Sequence, residues 1–392
     1  MAILFGGMLA IGALLDAPPA ASQEFDEPSR PPSAEILAEQ TEIAFAETPL
    51  EIAIQLLADL HDVPIVIDKA SLQAAKIDPE LEVDRVVSGI TLESGLNIIL
   101  DEHGLDWFIR DGKAIVVTTP AAAAKELQTK GYPLGGLKSH GIAPTDVLRA
   151  LDELLGVRKT DAQDRPGRAD INEEKLSVRH TRRGHAQIAR LFAELEAVGS
   201  GKPIPASNRS ELNRREIRSS LSELVEVSFD RVPLDVAMSV FADRHGIRIV
   251  LDRRAFPKLM DQQEPTLTLM AKRSDAKALG PALDRLLKPI DATYIIEHEV
   301  LLVTSVAAAE ERPDIRVYDI REIARTAAGK ERVRAAVKEI AREPLRSKTA
   351  PAPSSAEIGD SFLIVAASAP RQRALEAVLA ALRSPGGYPS RD

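Results

Sequence analysis

Apolar side chains recur at helical spacing at Leu50, Ile54, Leu57 and Ala58, and the stretch that follows, 63–67, is rich in β-branched residues. The spacing predicts a helix with Thr48 as N-cap and Pro49 at its first position, after a short strand over 43–45 and before a strand ending at Asp68. A less regular piece follows. Thr91 then caps a second helix in which Leu92, Leu96, Ile99 and Leu100 recur, and 105–109 with 114–117 read as a hairpin around the turn Asp111-Gly112. Beyond it the pattern predicts a strand near Tyr132, a helix over 145–155, a polar loop over 156–170, a strand over 176–178 and a helix over about 184–197.

This order of elements occurs twice. Residues 43–72 read IAFAETPLEIAIQLLADLHDVPIVIDKASL and residues 227–256 read VSFDRVPLDVAMSVFADRHGIRIVLDRRAF, a constant shift of 184. Phe45 falls opposite Phe229, His61 opposite His245 and Asp68 opposite Asp252. With small gaps the match continues: Trp107 pairs with Tyr294, Tyr132 with Tyr318, and Leu176, Val178, Ile188 and Leu195 with Leu363, Val365, Leu375 and Leu382. The whole unit is therefore duplicated, over about 43–198 and 227–384. GSGKPIPASN (199–208) separates the copies, and the charged run up to residue 224 reads as a surface helix. APAPSS (350–355) marks a loop in the last part, and the tail from 385 to 392 reads as frayed. One difference stands out: the hairpin turn Asp111-Gly112 has become His298-Glu299, so a different turn geometry and a divergence of role are expected.

Before the first copy lies an uncharged apolar run, 2–15, followed by small residues at 17–22. It is short for a membrane span, which needs about 20 residues, and suits a signal peptide (1–22) that is cleaved or kept as an anchor. No Lys or Arg precedes it, which makes the signal atypical. Residues 23–42 read as a flexible acidic leader.

Composition narrows the chemistry. Aromatics make up 4% of the 392 residues, with Trp107 the sole tryptophan, so the cores must be built from aliphatic side chains in several small layered units. The absence of cysteine excludes disulfides and thiolate chemistry. A net charge of −9 opposes an electrostatic grip on nucleic acid, although Arg179, His180, Thr181, Arg182 and Arg183 form a local basic run.

On these residues the chain resembles a known family. The run from Phe45 through TPLEIAIQLLADLHDVPIVID, with GITLESGLNIILDEHGLDWFIRDGKAIVV, looks like the short N-terminal (STN-like) domain of secretins and TonB-dependent receptors. LSVRHTRRGHAQIARLFAEL and LIVAASAPRQRALEAVLAAL look like the KH-like N-module of secretins. The resemblance implies an α+β chain of four tandem modules: STN-like over 43–120 and 225–308, each a βαβ-αββ unit, and secretin-N-like over 130–198 and 314–384, each a βαβ-βα unit. The linker and surface helix occupy 199–224. The barrel or membrane domain of such proteins has no counterpart here.

No constellation for catalysis is legible. G-x-S-x-G and H-E-x-x-H are missing, and GSGK at 199–202 is followed by Pro203 where a phosphate loop needs Ser or Thr. His180 and His185 sit on different elements without a third ligand. His61 and His245 fit helix C-terminal caps. Asp68 and Asp252 fit turn or cap carboxylates without a basic companion. The second modules lack the G-x-x-G clamp of nucleic-acid-binding KH domains. The expectation is a non-enzymatic periplasmic interaction or scaffold protein, associated with a secretion or pilus-type envelope complex. It uses no cofactor, metal, nucleic acid or small-molecule substrate, and self-association is allowed. The alternatives are a sensor domain of a TonB-receptor-like signalling system and an enzyme of unrecognised type. No binding residue is singled out, and the edge strands and helix faces are the surfaces on offer.

Overall fold

The computed structural model describes residues 30–78, 80–157, 166–172, 174–202, 209–225, 228–256, 266–269, 277–358 and 361–383. The apolar run at 2–15, most of the 199–208 linker and the 385–392 tail lie outside the described residues. The fold is α+β, with several small sheets and helices packed on them.

In the first half, α1 (Ala34–Leu37) leads into β1 (Gln40–Pro49), α2 (Leu50–His61), β2 (Ile65–Ile67), α3 (Lys69–Ala74), β3 (Glu82–Thr91), α4 (Leu92–Glu102), β4 (Asp106–Arg110), β5 (Ala114–Thr118) and α5 (Pro120–Ala123). β1 and β3 form an antiparallel ribbon; β2 runs parallel to β5, which pairs antiparallel with β4. α2 and α4 join ribbon and sheet through a core of Ile43, Leu50, Leu57, Leu96, Ile99, Trp107 and Val117. β6 (Gln128–Pro133), α6 (Gly135–Ser139), α7 (Pro144–Leu155), β7 (Arg168–Ile171), β8 (Lys175–His180) and α8 (Arg182–Ser200) follow. Here the sheet β6-β8-β7 is wholly antiparallel, with α7 and α8 packed on one face.

After α9 (Arg209–Ser220) the second half repeats the pairing. β9 (Leu224–Val225) and β10 (Phe229–Pro233) pair with β13 (Lys277–Ala278) and β12 (Thr266–Leu269). α10 (Leu234–His245), β11 (Ile249–Leu251), α11 (Leu279–Leu287), β14 (Ala292–Glu297), β15 (Val300–Ser305) and α12 (Val306–Glu310) take the places of α2, β2, α4, β4, β5 and α5. β16 (Asp314–Asp319), α13 (Ala327–Arg342), β17 (Ser354–Ile358), β18 (Phe362–Ala367) and α14 (Ala369–Arg383) close the chain with the sheet β16-β18-β17. Register carries the equivalence to single residues. Trp107 faces Val117 as Tyr294 faces Val303, and Tyr132 faces Leu176 as Tyr318 faces Leu363.

A buried polar bridge is built twice with different side chains. His185 Nε2–H donates to the Gln128 carbonyl at 2.8 Å, which leaves Nδ1 to accept from the Tyr132 hydroxyl at 2.8 Å. In the second half Gln372 does the same: Nε2 donates to the Asp314 carbonyl at 2.8 Å and Oε1 accepts from the Tyr318 hydroxyl at 2.6 Å. An imidazole and a carboxamide each place one donor and one acceptor at similar reach.

The two halves are stacked. β15 and β18 are apolar on both faces. Leu301 and Val303 point into their own core, while Val300 and Leu302, with Val250 and Ile295, join the first half's core beside Ile98 of α4. Leu363 and Val365 point inward, while Phe362, Ile364 and Ala366 join the cluster of α7 and α8. The first half lacks this outer apolar face on β8, where Lys175, Ser177 and Arg179 occupy the corresponding positions.

Several expectations need correction. The leader is structured from Arg30 onward: Ser33 caps α1, Ile36 is buried, and β1 already starts at Gln40. The irregular piece before Thr91 contains β3, a ten-residue strand whose alternation is masked by the inward Arg85. Pro49 ends β1 and is itself the N-cap of α2; the Thr48 hydroxyl donates to the Ala46 carbonyl instead. β7 occupies the end of the 156–170 loop, α8 extends through Gly199 and Ser200, and Ser354 and Ser355 belong to β17. α9 is a surface helix with one buried face, where Asn213 bonds to the first half and Ile217 joins the second half's core, while Leu212, Glu216 and Ser219 stay exposed.

The bridge yields a test. His185→Gln, which copies the second half, should leave stability within about 1 kcal/mol, whereas His185→Leu should cost roughly 1–2 kcal/mol by removing the side-chain bonds to the Tyr132 hydroxyl and the Gln128 carbonyl, the hydroxyl keeping only its 3.2 Å bond to the backbone carbonyl at position 185. Urea unfolding of the two variants measures both.

Candidate interaction surface

The basic run at 179–183 is engaged inside the molecule. Thr181 caps α8, and this aims the first two α8 side chains at the preceding unit. The Arg182 guanidinium lies 3.9 Å over the Trp107 ring. It donates to the Trp107 carbonyl at 3.1 Å, Asp106 at 3.0 Å, Asn97 at 3.1 Å and Glu93 at 3.2 Å. Arg183 donates to Asp106 at 2.8 Å and to Asp101 at 2.6 Å. In the second half Arg373 stands 4.1 Å over Tyr294 and donates to its carbonyl at 3.0 Å and to Asp284 and Thr293 at 2.9 Å. Arg373 lies one helical turn further along α14 than Arg182 lies along α8, so the two halves reach the same contact from different positions.

The divergent hairpin turn is the second organising feature. His298 and Glu299 have φ of 48° and 65°, close to 52° and 68° at Asp111 and Gly112, but two residues separate the paired Glu297 and Val300 where three separate Arg110 and Ala114, so the second turn is one residue shorter, as a changed geometry requires. Its role differs as well. Glu299 is fully buried at the N-terminus of α4 in the other half, where its carboxylate accepts from the Thr91 hydroxyl at 2.5 Å and the Ser94 hydroxyl at 2.7 Å. Asn213 of α9 donates to the same carboxylate. His298 Nε2–H donates to Asp101 at 2.9 Å. A carboxylate at a helix N-terminus with several donors is a stable arrangement for a buried charge. Non-glycine residues at positive φ carry a strain that these contacts offset.

A further ion-pair group joins α8 to the second half. Arg190 reaches Asp314 at 2.5 Å, and the Glu194 carboxylate accepts from the Val317 N–H of edge strand β16 at 3.0 Å, which blunts that edge. Burial would raise the Asp314 carboxyl, yet Arg190 and Arg316 hold it below the ordinary range. Burial likewise works against ionisation of Asp101, but the bonded His298 and Arg183 keep it far below the usual carboxylate value.

An open cleft of about 440 Å³ lies where these groups meet, lined by Asp101, Asp106, Arg182, Arg183, Arg254 and Arg312 among others. Asp101, held ionised, cannot shuttle protons near neutrality. The remaining sequence candidates fall elsewhere. His61 and His245 hydrogen-bond to Glu39 at 3.2 Å and Glu223 at 2.8 Å, so a duplicated carboxylate joins the helix-end role. Asp68 caps α3 by accepting from Ser71 N–H, while Asp252 takes the Thr304 hydroxyl and, against expectation, has a basic companion in Arg312 at 3.0 Å. His180 and His185 have ring centroids 6.3 Å apart.

Several large apolar side chains are exposed among the described residues. Ile52, Leu56 and Leu60 project outward from α2, and Val236 and Val240 from α10. They were not legible because the apolar arc of α2 spans both the core stripe and this second ridge; the i, i+4, i+8 spacing beside the polar stripe of Glu51, Gln55 and Asp59 was the available signal.

No protein-family model matches the chain, and no curated protein does. Among solved structures, a chain of the GspC–GspD complex of the enterotoxigenic Escherichia coli type II secretion system aligns over 41% of this chain and 100% of its own, at 9% identity and a TM-score of 0.16. This is a weak likeness. No helix among the described residues is long and apolar enough to cross a membrane.

Replacing the buried turn carboxylate separates strain from docking. Glu299→Gly relieves the positive φ and by backbone terms alone would stabilise by up to about 1 kcal/mol. We expect instead a loss of roughly 2–4 kcal/mol, since Thr91, Ser94 and Asn213 lose a charged acceptor; chemical denaturation decides the sign. The depressed Asp101 pKa predicts stability that is fully present above the unfolded carboxylate pKa of about 3.9 and lost as pH falls below it toward the folded value. Asp101→Asn should flatten part of this acid limb in unfolding midpoints measured from pH 6 to pH 2.5.

Proposed function

We propose that this chain is a non-enzymatic interaction protein of the bacterial cell envelope, composed of four tandem units of the STN-like and secretin-N-like types, which holds components of a secretion or pilus-type complex. The observation that carries the reading is the use made of its charged groups. Arginines, a histidine and carboxylates, in the cleft and beside it, bond one another across unit boundaries and hold the units together, while most of the exposed large apolar side chains stand on helix faces. Such a body is suited to presenting fixed surfaces. The family resemblance of the repeated units and the apolar N-terminal run support an envelope location.

The test is chemical cross-linking in intact envelopes of the source bacterium, followed by recovery of the chain and identification of its cross-linked neighbours. Recovery of defined secretion or pilus components in stoichiometric amounts is the expected result. A chain that fractionates with the cytoplasm, or turns over a substrate through the Asp101–Arg183 cleft, would overturn the reading.

A further inference from the structure

The inward side of α2 delivers Leu50, Ala53, Ile54 and Leu57 to the core. Its outward side carries a second ridge, Ile52, Leu56 and Leu60, with exposures of 52%, 50% and 60%. A ridge at i, i+4 and i+8 is about 12 Å long. α10 repeats it, with Val236 and Val240 at the positions of Ile52 and Leu56 and exposures of 46% and 39%. Acidic residues flank both ridges at the same places, Glu51 and Asp59 on α2 and Asp235 and Asp243 on α10, all exposed. Between them the copies differ freely, Gln55 standing against Ser239 and Leu60 against Arg244. An exposed Ile, Leu or Val at these positions adds nothing to either core, yet the acid, apolar, apolar, acid order occurs in both copies.

We propose that the outward faces of α2 and α10 are two equivalent docking sites for an amphipathic helix of a partner protein, one with an aliphatic ridge flanked by lysine or arginine. The proposal rests on the interaction reading above and names the chemistry of its partner. Charge selects this occupant. A second copy of the chain docking through the same faces would set Glu51 and Asp59 against acidic counterparts, and an anionic lipid surface would be repelled in the same way. The Glu51–Lys69 pair at 2.9 Å is exposed at both ends, so a basic partner can exchange it at little cost. Ridges of i±4 spacing are those that interdigitate in the commonest helix–helix packing. Two sites on one stack would add avidity toward a partner that presents its helix more than once.

The probe is a synthetic helical peptide of about 18 residues, five turns, with leucines along one face and lysines beside them. A scrambled peptide of the same composition serves as control. Titration calorimetry on the intact chain should show two peptides bound per chain, weakened by salt, with the scrambled peptide at least about tenfold weaker. Leu56→Lys should reduce the stoichiometry to one, and adding Val240→Lys should remove the second site, with thermal unfolding unchanged because both positions are exposed. Equal binding of the two peptides, full binding by the double variant, or a chain dimer that Leu56→Lys dissociates would each overturn the proposal. Envelope neighbours that still cross-link to the double variant would sink these sites and leave the interaction reading intact. A wild-type chain that cross-links to nothing would sink that reading whatever the peptide does.

Discussion

Two sheets in the second half of this chain are apolar on both faces, and the rest of the architecture follows from the need to cover them. A three-stranded sheet hides one face under its own helices. For β15 the other face, built on Val300 and Leu302, is covered by α4 of the first half, and for β18 the face built on Phe362, Ile364 and Ala366 is covered by α7 and α8. Each large aliphatic or aromatic side chain so buried contributes roughly 1.5–3 kcal/mol, so the second half is incomplete without the first. The stacking ends there. Lys175, Ser177 and Arg179 stand on β8 where Phe362, Ile364 and Ala366 stand on β18, and exposed Arg285 stands on α11 where Ile98 stands on α4. The same contact therefore cannot propagate into a filament, and any self-association must use another surface.

Polar contacts fix the alignment that the apolar faces only favour. Non-directional burial tolerates sliding, whereas a carboxylate placed among Thr91, Ser94 and Asn213 does not. Glu299 joins three parts of the chain at once: the second half's hairpin, the N-terminus of α4, and α9 from the connection between halves. His298 and Asp101 extend the joint toward Arg183, and so couple it to α8. A duplicated hairpin whose counterpart, Asp111-Gly112, is exposed has become the pin of the assembly through a change of side chains on a turn one residue shorter.

The two copies also show how a contact survives while its residues change. Trp107 and Tyr294 both lie under an arginine, yet Arg182 and Arg373 are one helical turn apart; Tyr132 and Tyr318 both bond to a bridging side chain, yet one is His185 and the other Gln372. The physical requirement is a cation over the ring and a donor–acceptor pair beside the hydroxyl. Several side chains meet it. The joints between units are thus held by chemistry that simple residue matching between the copies only partly reveals.

The sequence by itself determined the duplication, the α+β class, and the helices and hairpins of strong period, because these depend on local spacing and on which side chains avoid water. It did not reveal β3, whose alternation is interrupted by Arg85, a cation that becomes tolerable only beside Glu102 and the Leu251 carbonyl of the other half. It gave no sign that Arg182 and Arg183 face Asp101 and Asp106 rather than solvent, or that Asn213 of α9 bonds across the halves. Nor did it separate the core stripe of α2 from the ridge of Ile52, Leu56 and Leu60, since an apolar arc this broad does not say which part of it the core will take. Those outcomes were decided by tertiary structure, because the energy of a charge or an exposed apolar ridge is set by what long-range packing brings to it, and no periodicity along the chain encodes that neighbour.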